Sequence, residues 1–89
     1  MNKVDQLNNH FKELYDAATK EERKQIVEDI MKMIEKYHFS ALNEKSKLIG
    51  RKDYIKEFNL YLENQNAYTK SGLEIIRKFL NNSIGFRQA

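Results

Sequence analysis

The residue types that most often do chemistry are few in this chain, and their spacing suits it poorly. His10 and His38 are the only histidines. They fall on different expected helices. Neither has carboxylates spaced to complete a tetrahedral ligand set. Cysteine is absent, so no thiolate nucleophile and no disulfide can form. Acids are abundant, but in the run KEERKQIVED, residues 20–29, they alternate with bases. That is the pattern of a solvated helix surface, not of a carboxylate pair with a raised pKa. The run GRKDYIK, residues 50–56, has one glycine and two adjacent bases. A phosphate-binding loop needs more glycines, followed by Lys-Ser/Thr. Arg51, Lys52 and Lys56 remain as a secondary basic patch. These observations predict no enzyme, no metal and no cofactor.

Composition leads the same way. With 89 residues the chain makes one small domain, and with no proline, three glycines and 33% charged residues it favours helices. Stability must come from packing, since nothing staples the fold. No long apolar run and no charged-then-apolar leader is present, which predicts a soluble, cytoplasmic protein without a membrane span. Charge is unevenly spread. Residues 1–44 hold seven Lys/Arg and nine Asp/Glu, a balance of −2, while residues 45–89 hold nine and four, a balance of +5. An acidic protein surface, lipid head groups or nucleic acid could each exploit a basic half; equally, it could serve solubility alone.

The elements that must position any site follow from periodicity. Leu7, Phe11, Leu14 and Ala18 fall at steps of four, three and four, the stripe of a helix over Lys3–Ala17. Thr19 and Glu22 form a capping box for a second helix over Lys20–Tyr37. Its inner face is Ile26, Val27, Ile30, Met33 or Ile34, and Tyr37. Ser40 is a cap for a third helix that carries Leu42, Leu48 and Ile49, passes Gly50, and resumes with Ile55, Phe58, Tyr61 and Leu62. Gly50 bends, breaks or merely weakens that helix. ENQNAYTKSG, residues 63–72, reads as a loop. Thr69 then caps a last helix, with a staple between Tyr68 and Leu73 and a stripe of Leu73, Ile76, Phe79 and Leu80. Glu74 and Lys78 make a surface pair.

These stripes need one another for burial, which predicts an all-α, antiparallel four-helix bundle over residues 1–82. Residues 83–89 are a C-terminal tail. Ile84 and Phe86 follow helix-ending asparagines, so they either fold back over the bundle end or are kept for a partner. The aromatics are mostly core candidates. Tyr54 and Phe86 are the exceptions, because the first falls off its stripe and the second lies beyond the last helix. The histidines are expected at the surface or rim.

For a nucleic-acid reading, Gly50 would be the turn of a helix-turn-helix. The following helix, however, carries Asp53, Glu57 and Glu63, which repel backbone phosphates. A further alternative is a partner-binding adaptor or inhibitor that dimerises through an exposed stripe.

Two segments carry a resemblance. FKELYDAA near the end of the first helix, and YTKSGLEIIRKFL opening the last, resemble the small bacteriocin immunity proteins of the enterocin A type. Glu13-Leu14-Tyr15 matches a Glu-Leu-Tyr in that family. Tyr68-Thr69 and Ile76-Arg77 match an aromatic-Thr pair and an Ile-Arg, and TKEERKQI is similar to the charged start of the second helix. The segment LIGRKD has no clear counterpart. The resemblance implies a cytosolic, non-enzymatic antiparallel four-helix bundle. Such a protein would act at the inner face of the membrane, on a sugar-permease receptor engaged by the bacteriocin. The family's C-terminal half governs recognition. Carried over, that points to Tyr68, Arg77, Lys78, Ile84, Phe86 and Arg87.

Overall fold

The computed structural model describes residues 2–39 and 51–89, with side chains from Asp53 onward in the second stretch. All regular structure among the described residues is helical. Helix α1 spans Lys3–Asp16, α2 Lys20–Met33, α3 Arg51–Glu63, α4 Ala67–Asn81 and α5 Ile84–Arg87. A π-helical turn, Ile34–Phe39, continues α2 directly.

Local chemistry sets the boundaries. The Asn2 side chain accepts from the Asp5 amide at 2.8 Å and starts α1. Thr19 accepts from the Glu22 amide at 3.1 Å and starts α2, as its sequence position predicts. Glu21 and Glu22 stand in that first turn, where the helix dipole favours acids. Between the two helices, Arg23 donates through Nη1 to the Ala17 carbonyl at 3.0 Å. A carbonyl left open at the end of α1 is thereby satisfied.

The core draws on every element: Leu7, Phe11 and Leu14 from α1; Val27 and Ile30 from α2; Ile34 and Phe39 from the π turn; Tyr54, Phe58 and Tyr61 from α3; Leu73, Ile76 and Leu80 from α4; Phe86 from α5. Helix α1 packs on α2 and α4, and α3 packs on α2 and α4. The ring pairs Phe11–Phe58 and Tyr15–Tyr61, with centroids 5.9 and 5.8 Å apart, join α1 to α3 across the centre.

Several expectations change. The helix predicted to Tyr37 winds as a regular α-helix only to Met33. Hydrogen bonds from i to i+5 then add about one residue per turn. This winding lets Ile34, His38 and Phe39 all face inward. Helix α4 begins at Ala67, not after Thr69. Its cap is Asn66, whose side chain accepts from the Thr69 amide at 2.9 Å while Thr69 Oγ1 accepts from the Asn66 amide at 3.1 Å. Tyr68 therefore sits inside the first turn and points outward, and the staple with Leu73 does not form. Tyr54 is buried and Ile55 is partly exposed, so the α3 stripe is 54, 58 and 61. A tyrosine suits this inner position because its hydroxyl reaches the rim, where it donates to Glu35 Oε1 at 2.8 Å. The expected Ser40 cap, the Leu42–Leu48–Ile49 face, the bend at Gly50 and a helix-turn-helix built on it lie outside the described residues.

Candidate functional site

Helix α4 carries three of the six residues taken from the resemblance, Tyr68, Arg77 and Lys78, and its sides differ in chemistry. Lys70, Glu74 and Arg77 recur at steps of four and three and so share one side. On α1, Asn8 and Tyr15 are seven apart and share the side that meets it. The Tyr15 hydroxyl donates to Glu74 Oε2 at 2.7 Å. Arg77 grips the same carboxylate through Nε at 2.8 Å and Nη2 at 3.0 Å. Its Nη1 donates to Asn8 Oδ1 at 3.0 Å. The Lys70 ammonium stands 4.7 Å from the centre of the Tyr15 ring. Together with Phe11 and Lys12, these residues line a groove of about 250 Å³.

The electrostatics identify this cluster as a clamp. Arg77's bidentate hydrogen bonds, helped by the Tyr15 hydroxyl, hold the Glu74 carboxyl below its ordinary range. Burial, with the hydrogen bond to Glu74 second, pushes the Tyr15 hydroxyl above its ordinary value. The neighbouring Tyr61 is also raised, chiefly by burial. Proton transfer at neutral pH wants groups poised near 7. Here the acid and the phenol are driven apart, so each stays fixed in one protonation state. The predicted Glu74–Lys78 pair is replaced by Glu74–Arg77, because Arg77 faces the α1 side with Glu74 while Lys78 is exposed.

The C-terminal end is a second cluster. Phe86 is fully buried, and its ring lies 5.6 Å from that of Tyr37 in the π turn. Ser83 precedes α5 in the N-cap position, but its hydroxyl meets His38 Nδ1 at 3.0 Å instead of capping the helix. His38 is therefore a buried residue, not a surface or rim one. Its ring sits between those of Phe39 and Phe79, at 5.0 and 5.7 Å. His10 is half-buried and lies 3.7 Å from Glu13 on the same helix. No group of histidines, cysteines and acids among the described residues could hold a metal ion. Nor is any helix among them long and apolar enough to cross a membrane.

The six residues taken from the resemblance separate. Tyr68 is 83% exposed and Ile84 56%. Lys78 and Arg87 are exposed, Arg77 is committed to Glu74 and Asn8, and Phe86 is core. Tyr68 stands in the first turn of α4 and Ile84 beyond its far end, in α5, with most of the helix's length of roughly 20 Å at 1.5 Å per residue between them, so the set is not one patch. In the secondary basic patch Lys56 is exposed, and the Arg51 and Lys52 side chains lie outside the described residues. Sequence reading missed Asn8 as a partner of Arg77, Tyr15 as a partner of Glu74, the Ser83–His38 contact, and the exposed Ile75. The repeat of seven between Asn8 and Tyr15 was the available signal for the first two. No family model, no curated protein and no solved structure matches the chain.

Proposed function

We propose that this chain is a non-enzymatic helical binding protein, built as an antiparallel four-helix bundle, and that its concrete role is that of a cytosolic bacteriocin immunity protein. Two contacts support the bundle. Lys3 at the start of α1 lies over the Tyr37 ring beyond the end of α2, and Arg23 near the start of α2 bonds to Ala17 at the end of α1. These helices therefore run in opposite directions. The Asn8–Arg77 and Tyr15–Glu74 contacts run α4 opposite to α1 in the same way.

One observation carries the functional reading. The C-terminal end presents an exposed isoleucine, Ile84, three residues from the exposed base Arg87 on α5, a segment held in place by buried Phe86. An apolar side chain fixed near a cation, and not free in a flexible tail, is pre-organised for a partner. In this reading the partner is the cytoplasmic side of a membrane receptor carrying bound bacteriocin. The test is expression in strains sensitive to such peptides. Survival should rise, and Ile84→Ser with Arg87→Ser should remove the protection while the fold persists. Unchanged survival across the bacteriocin subclass would remove the reading.

A further inference from the structure

A different side of α4 carries its own signal. Tyr68, Gly72 and Ile75 recur at steps of four and three on the side toward α3. Ile75 is 67% exposed, more than expected for an isoleucine placed between two packed helices. Gly72 leaves a notch, and the Glu57 carboxylate lies over it. Asp53, Glu57, Gly72, Ile75 and Ile76 line a groove of about 230 Å³ there. Neither Asp53 nor Glu57 is bonded to a cation among the described residues. So a chain with formal charge +3 carries here an apolar groove with an acidic wall.

The geometry points to the α3–α4 groove as a docking site for an amphipathic helix of a partner protein, one that sets lysine or arginine along the edge of its apolar face. The occupant follows from charge. A purely apolar partner would strip water from two carboxylates and return nothing. An acidic partner would be repelled. A second copy of this chain meeting face to face would bring both acidic walls, Asp53 and Glu57 twice over, into one interface, since a two-fold contact uses the same patch on both copies. A helix is the fitting shape because the groove lies between two helices. The spacing 68, 72, 75 also meets apolar residues that recur at i, i+4 and i+7. This inference does not rest on the immunity reading, which concerns the other end of α4.

The test is a titration of the full chain, followed by amide chemical shifts, with a synthetic leucine–lysine amphipathic helix of about four turns. A leucine–glutamate peptide with the same apolar face is the control. The lysine peptide should bind with its largest shifts at Tyr68, Gly72 and Ile75, and at least about tenfold more tightly than the glutamate peptide. Asp53→Asn with Glu57→Gln should erase that preference. Ile75→Ser should weaken both peptides without changing the far-ultraviolet circular dichroism, because the side chain is mostly exposed. No binding of the lysine peptide, equal binding of the two, shifts centred on the Lys12–Lys70 groove, or self-association of the free chain through Ile75 would each overturn the inference.

Discussion

The two sides of α4 that flank its core stripe are built to opposite standards. Toward α1, Glu74 accepts from Arg77 and Tyr15, and Arg77 also reaches Asn8. Polar groups there are satisfied within the fold, and the contact is finished. Toward α3, Ile75 stands largely in solvent beside carboxylates with no cation bonded to them among the described residues, and Tyr68 is exposed two turns earlier on the same side. That contact is unfinished. The difference teaches where to look for stability and where to look for a partner on one helix. The finished side should respond to mutation through folding, and the unfinished side through binding.

The largest effect should come from the core that both sides share. Phe86→Ala should cost about 3–5 kcal/mol in urea unfolding, the usual range for a buried phenylalanine. In a domain this small that is a large part of the total stability. If the loss is under about 0.5 kcal/mol, as for a surface position, the C-terminal helix is an appendage and not part of the core. Next comes the finished side. Arg77→Ala removes two charge-assisted bonds to Glu74 and one to Asn8, and should cost about 1–2 kcal/mol after allowance for partial exposure.

The same clamp predicts a pH dependence. Glu74 is held below its unfolded value, so its contribution is present above the ordinary carboxylate pKa and is lost as pH falls through the depressed one. Tyr15 is raised, so its contribution is full below the ordinary tyrosine pKa and declines as pH climbs beyond it. Urea midpoints measured against pH should fall at both extremes. Glu74→Gln should flatten the acid arm and Tyr15→Phe the alkaline arm. A smaller effect of opposite sign is expected on the unfinished side. Gly72→Ala should stabilise by up to about 1 kcal/mol through helix propensity, because the added methyl meets only the movable end of the Glu57 side chain. A loss there would show that the groove is more tightly packed than it looks.

The all-helical class was legible because apolar residues recur at helical steps and one cap, Thr19, stands at its predicted place. What was misread was register. Both Tyr54 and Ile55 can begin a stripe that reaches Phe58, and the sequence offers no way to see that Tyr54 finds Glu35 for its hydroxyl. The start of α4 was misplaced because Asn66 and Thr69 are both good caps. Thr69 turns out to be the reciprocal partner three residues inside the helix. Arg77 was singled out, but its bond to Asn8, and that of Tyr15 to the shared Glu74, are assembled by packing α1 on α4. His38 was expected at the surface or rim because no carboxylates are spaced to enlist it as a metal ligand. The π turn moves it inward, and Ser83, 45 residues away, supplies a partner. Each of these contacts depends on tertiary placement, which local periodicity does not encode.

The central claim is that the α3-facing side of α4 is exposed surface with no part in holding the fold. Equilibrium urea unfolding of the double variant Tyr68→Ser/Ile75→Ser tests it most directly. The account predicts a stability within about 0.5 kcal/mol of the parent, as for exposed positions. A loss of about 2 kcal/mol or more, the scale of a truncated core residue, would contradict it.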